Sequence, residues 1–199
     1  MRAVIISTLL FALLPAGPAQ AAWNVGQIFV KTQDGEAVAR AVRSYLDGWA
    51  KQPDAQKSPY WNEKTGTRRL VVLPPRRGWV TLLEAVPERA DPTLAEGLSR
   101  ALDARVIWLE VAGSALSWRY VVLEGGKVKA TFMEPKEGYG GAPLEGPMPR
   151  YRDVEALSWR FLADQGVPPA YRFLTQAHVD VSSDGSEAGK AWVIKVQRG

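Results

Sequence analysis

The sequence predicts an α+β fold: two strand-helix-strand units forming a mainly antiparallel sheet with two helices, extended by a hairpin and followed by a C-terminal helix and strand pair. Three observations carry this reading. Val38 to Trp49 and Leu94 to Leu102 each repeat apolar residues at the three-four spacing of one helix face. Each of these helices has an apolar run before it and another after it, so strand, helix and strand follow one another twice. Leu116 to Leu123 and Val128 to Met133 are apolar runs parted by Gly125-Gly126, a two-residue hairpin turn.

Val25 to Lys31 (VGQIFVK) alternates and reads as a short strand. Asp34 is placed to cap the helix that follows, and Glu36 lies in its first turn, where a carboxylate suits the helix dipole. Val38, Ala41, Val42, Tyr45, Leu46 and Trp49 form the face expected to be buried. Lys51 to Thr67 is polar and proline-bearing, a long connection. Arg69 to Leu73 and Trp79 to Ala85 are the next two strands, and LPPRRG joins them. Proline cannot donate to a ladder and Gly78 relaxes the backbone, so this stretch turns and leaves Arg76 and Arg77 at an exposed tip. Arg68 and Arg69 begin the preceding strand, at the far end of the hairpin if the two runs pair.

The second helix has Asp91 as its cap and Pro92 at its first position. Val106 to Val111 is apolar on both sides, as a central strand should be. Val128, Ala130 and Phe132 alternate with Lys127, Lys129 and Thr131, which predicts one dry and one wet face. This order of elements resembles the split strand-helix-strand arrangement of ferredoxin-like sheets. Val38-Ala39-Arg40-Ala41-Val42 also aligns with Leu94-Ala95-Glu96-Gly97-Leu98; a duplication and a chance likeness of two amphipathic helices both account for that. The resemblance implies a fold and no particular activity.

Residues 1–21 read as a signal peptide. They hold one early cation (Arg2), an apolar core from Ala3 to Leu14, breakers at Pro15 and Pro18, and the small-x-small ending Ala19-Gln20-Ala21. The core falls short of the roughly 20 residues that span a bilayer, so no membrane span is expected after cleavage. The expected location is therefore periplasmic or secreted. Residues 22–133 form the sheet domain, and 134–150, rich in glycine and proline, a loop or linker. Residues 151–199 add a helix capped by Asp153, with Val154, Leu157, Phe161 and Leu162 on one face and Gly166 ending it. The alternating runs His178 to Val181 and Ala191 to Val196 then form a hairpin packed on the domain.

With no cysteine and one histidine, a thiol nucleophile and a zinc site of histidine and thiolate ligands are excluded. A serine triad would have to use His178, and no G-x-S-x-G occurs. Neither phosphate-cradling glycine motif is present, and no cofactor is expected. The net charge of +4 does not announce a polyanion by itself, and nucleic acid is not an expected partner of an exported chain. His178 and Asp180 fall on one strand face, as an oriented pair or as a solvated polar face. Asp180-Val-Ser182-Ser-Asp184-Gly185 resembles the opening of an EF-hand calcium loop, where oxygen ligands alternate before a sharp glycine turn. Asp180, Ser182 and Asp184 are thus candidate metal ligands, although Ala191 stands where the bidentate glutamate belongs.

Binding chemistry rests on aromatic and cationic loops. Tyr60 and Trp61 lie outside any amphipathic pattern and are of the type that stacks on sugars or peptide side chains, whereas Trp79, Trp108, Trp118 and Trp192 fall in strands and read as core. Arg150 and Arg152 flank Tyr151; with Arg76 and Arg77 they form a candidate cationic surface for an anionic polymer or acidic partner. The expectation is an exported, soluble interaction module binding a protein or envelope polymer. Its rivals are a carboxylate-based hydrolase or sugar-processing enzyme of the cell envelope, assisted by His178, and a calcium-stabilised structural domain.

Overall fold

Val25, Ile28, Phe29 and Val30 have almost no exposed surface, because the strand that carries them, β1 (Asn24–Lys31), is paired on both sides and covered on both faces. The computed structural model describes residues 24–84, 90–112, 117–134, 151–171 and 191–198. After β1 come α1 (Gly35–Trp49), β2 (Thr67–Val72), β3 (Trp79–Glu84), α2 (Pro92–Ala101) and β4 (Arg105–Ala112). The chain continues with β5 (Ser117–Glu124), β6 (Lys127–Glu134), α3 (Tyr151–Asp164) and β7 (Trp192–Gln197). The fold is α+β, with these three helices on a seven-stranded sheet of order β6-β5-β4-β1-β3-β2-β7. Every pairing is antiparallel.

Period-two alternation sorts the strands onto two cores. Ile28, Val30, Leu70, Val72, Val80, Leu82, Val106 and Trp108 point to one face, where they meet Val38, Ala39, Val42 and Leu46 of α1 and Leu94, Ala95 and Leu98 of α2. Phe29, Val71, Trp79, Leu83, Ile107, Leu109 and Trp118 point to the other, where Leu162 of α3 and Val167 close over them. Both early helices start where their caps dictate: Asp34 accepts from the Ala37 amide at 2.8 Å, and Asp91 from the Thr93 amide at 2.9 Å. The β5–β6 turn uses Gly125 and Gly126 at φ +56° and +75°, the left-handed pair a tight hairpin needs.

Four sequence expectations change. The residue of α1 buried beside Val38 and Val42 is Ala39; Ala41 is only partly covered. Val128 is 60 % exposed and Ala130 is exposed, so this part of β6 is wet on both faces. The reason is position: β6 is the sheet's outermost strand, and a register shift at Val122/Leu123 breaks its alternation. Asp153 falls inside α3 rather than ahead of it, and Leu157 is 43 % exposed, the covered face being Ser158, Phe161 and Leu162. The closing strand β7 lies along β2, with Leu70 opposite Ile194. The run His178 to Val181 lies outside the described residues.

The docking of β7 depends on a missing side chain. A Cβ at Gly35 would lie 2.7 Å from the Trp192 ring and 3.1 Å from Pro75 Cδ, so the ring occupies the space that any other residue would fill. Gly35→Ala is expected to cost roughly 1–3 kcal/mol through overpacking, read from the urea midpoint. Most of that loss should disappear in the Gly35→Ala, Trp192→Leu double variant; strictly additive losses would mean that the contact does not matter.

Candidate functional site

The β2–β3 turn is built as a two-residue hairpin loop. The Arg76 amide donates to the Trp79 carbonyl at 2.8 Å, and the Trp79 amide returns a bond to Arg76 at 3.0 Å. Between them Arg77 (φ +48°) and Gly78 (φ +79°) are both left-handed. Asparagine or glycine holds such a position at little cost, whereas an arginine there is strained by about 1 kcal/mol or more and stays because the turn imposes it. Arg76 and Arg77 are both exposed at this tip, as the sequence predicts.

Antiparallel register gathers further cations at the same end of the sheet. Lys31 lies opposite Trp79, Val30 opposite Val106, Arg105 opposite Glu124, and Glu124 opposite Lys127. Lys31, Lys127 and Lys129 are exposed there, and with Arg77 they make no ion pair among the described residues. Arg105 is held by Glu124 at 2.7 Å and reaches Gln165 at 3.3 Å. An open groove of about 470 Å³ runs here between Asp103, Arg105, Glu124, Gly125, Lys127 and Lys129.

Tyr60 and Trp61 are elsewhere. Trp61 is 2 % exposed, packs at a tilt against Trp49 with ring centroids 4.9 Å apart, and donates its indole N–H to the Ala55 carbonyl at 2.5 Å. It is a core residue of the connection rather than a surface platform, because the turn at Pro53–Lys57 folds that connection back over it. Tyr60 is half-buried and faces inward, its hydroxyl donating to the Ala90 carbonyl at 3.4 Å. Arg152 belongs to α3, while Arg150, His178, Asp180, Ser182 and Asp184 lie outside the described residues. Among the described residues no group of three or more His, Cys, Asp or Glu converges as a metal site.

Tyr60 and Trp49 together enclose Arg68, which has no exposed surface. Its Nε donates to Glu84 Oε1 at 2.6 Å and its Nη2 to Asp91 Oδ2 at 2.9 Å, while its plane lies 4.3 Å from the Trp49 ring and 4.5 Å from that of Tyr60. Asp91 serves twice: Oδ1 takes the Thr93 amide and, at 2.7 Å, its hydroxyl, and Oδ2 also receives the Tyr45 hydroxyl at 3.1 Å. Arg68 Nη1 and Glu84 Oε2 are buried with no hydrogen-bond partner among the described residues. Burial works to lower the Arg68 pKa, but the charges of Glu84 and Asp91 more than offset it and the guanidinium is held charged.

Sequence reading missed this cluster although its parity was visible. Arg68 shares a face with Leu70 and Val72, and Glu84 with Val80 and Leu82. Charged residues in phase with two buried neighbours are either at a strand end or paired inside, and here they are paired inside.

No family model, curated protein or solved structure matches the chain. Replacing Arg68 tests the cluster directly. Arg68→Met leaves the Asp91 charge without its cation in a dry site and is expected to cost about 3–5 kcal/mol, read from denaturant unfolding. Arg68→Lys keeps the charge but cannot reach both carboxylates with a planar fork, so it should fall between the two. A loss under about 1 kcal/mol for Arg68→Met would mean that the bridges contribute little.

Proposed function

We propose that the chain is an exported interaction module that holds an acidic protein segment or an anionic envelope polymer along the cation-bearing end of its sheet. One observation carries the reading: two exposed cationic pairs, Arg76–Arg77 and Lys127–Lys129, stand on or beside tight turns at opposite sides of that end. Four strand spacings separate β3 from β6, roughly 19 Å at about 4.8 Å each. A small anion meets one pair only. An extended acidic chain, at about 3.3 Å per residue, needs about six residues to meet both.

The N-terminal stretch with its Ala19-Gln20-Ala21 ending supports export. No described helix is long and apolar enough to cross a membrane. The run β1-α1-β2-β3-α2-β4 with spatial order β4-β1-β3-β2 supports a ferredoxin-like core of two strand-helix-strand units. On this reading β5 and β6 extend one edge, β7 the other, and α3 covers the open face. The carboxylates that do converge, Glu84 and Asp91, are buried on an arginine, so nothing in the described residues favours the hydrolase reading.

Binding of fluorescently labelled polyglutamate, followed by anisotropy, tests the proposal. Arg76→Ser with Arg77→Ser, and separately Lys127→Ser with Lys129→Ser, should each weaken binding roughly two- to thirtyfold, at about 0.2–1 kcal/mol per exposed charge. Affinity should also fall as salt rises through the range where exposed charges are screened. Binding that ignores both double substitutions and salt would refute an electrostatic surface at this end.

A further inference from the structure

We propose that Arg68, Glu84 and Asp91 form a proton-operated latch: a proton on Glu84 holds the first turn of α2 against β2, β3 and α1, and loss of that proton releases the turn. The geometry makes the two carboxylates unequal. One guanidinium faces both in a site closed to water. Asp91 accepts from Arg68, from the Tyr45 hydroxyl, and from the amide and hydroxyl of Thr93. Glu84 has fewer donors, the Arg68 Nε and the Asp91 backbone, and its second oxygen is buried with no partner among the described residues. With a proton on Glu84 the cluster holds one positive and one negative charge. Without it, two carboxylates share a single guanidinium and one oxygen is left uncompensated, which a buried site does not sustain at low cost.

The two tyrosine hydroxyls beside the cluster do not change charge in the same range. Burial pushes the Tyr45 hydroxyl of α1 up to about 12 and that of Tyr60, in the connection, higher still. Glu110 of β4 and Arg119 of β5 answer each other, Nε to Oε2 at 2.8 Å, with the guanidinium 5.1 Å from the Trp108 ring. Thr93 comes from α2, and β7 places Val196 opposite Arg68. Burial, opposed by the Arg68 charge, pushes the Glu84 carboxyl up to about 8 from an ordinary 4.5. The closed form therefore binds the proton more tightly than an open form in which Glu84 meets water. Below about pH 4.5 both forms are protonated and closure is fully favoured; from there to about pH 8 the open fraction climbs about tenfold per pH unit and then levels off.

Hydrogen exchange of the full chain, read on peptides covering the start of α2 and β2, tests this. In the wild type, exchange should rise about a hundredfold per pH unit between about pH 5 and about pH 8, combining hydroxide catalysis with the growing open fraction. In Glu84→Gln, which cannot ionise, the rise should be about tenfold, from hydroxide alone. Equal slopes in the two proteins would overturn the proposal. A second measurement needs no variant: in the wild type labelled at glutamate carboxyl carbons, one resonance should titrate near pH 8, and a set that all titrate near 4.5 would overturn it equally.

Discussion

A guanidinium with no exposed surface needs partners, since moving a charge out of water costs several kcal/mol unless other charges and hydrogen bonds replace the solvent. Around Arg68 those partners come from four places in the chain between residues 49 and 91. Glu84 comes from the last position of β3, Asp91 from the cap of α2, Trp49 from the last turn of α1 and Tyr60 from the connection. The start of α2 and the register of β2 on β3 are consequently one constraint. Slipping β3 by a residue would turn Glu84 to the other face, and starting α2 elsewhere would carry Asp91 away.

The same topology that buries this charge exposes others. Strands β2 and β3 run from Arg68 and Glu84 at one end to the Arg77–Gly78 turn at the other, about 20 Å away for strands of this length. One end is closed by aromatic rings and the cap of a helix; the other is tight turns with cations on them. Rigid turns suit recognition because arginines held on a fixed backbone lose less freedom when they meet a partner. The buried end is suited to sensing a proton instead, since a carboxyl that water cannot reach responds strongly to the charges beside it.

Much of the fold was legible because the relevant chemistry is local. Asp34, Asp91, Pro92 and Gly125-Gly126 act on their immediate neighbours and mark the same boundaries in the sequence and in the structure. Exposure was less legible, because it depends on where a strand or helix ends up. Val128 alternates in the sequence yet is wet, since no described strand lies beyond β6 and its register shifts there, and Leu157 fits a helical stripe yet faces out. The site divided along the same line. Arg76 and Arg77 were readable from the turn alone, whereas Arg68 and Glu84 have their meaning only once two strands are paired and α2 is laid across them. Trp61 shows the limit of judging a loop by composition: the polar connection that carries it folds back and buries it.

A polar cluster inside this core also distinguishes two helices that apolar patterning leaves alike. Val38, Ala39, Val42 and Leu46 of α1 match Leu94, Ala95 and Leu98 of α2 and Leu102 at its C-cap in spacing, and both helices lie on the same face of the sheet. Apolar spacing alone does not tell the two helices apart. Arg68, Glu84 and Asp91 occur once, Arg68 on the strand after α1 and the two carboxylates on the strand before α2 and at its cap, and all three meet when α2 presents its cap to β2 with Tyr45 of α1 beside it. Exchanging the helices would take Asp91 and Tyr45 away and leave Arg68 with Glu84 as its one buried carboxylate, a penalty of several kcal/mol against a total stability of about 5–15 kcal/mol. The cluster thus makes the native pairing the favoured one even where its net contribution to stability is small, and the same single-copy chemistry lets one proton bear on how α2 is held.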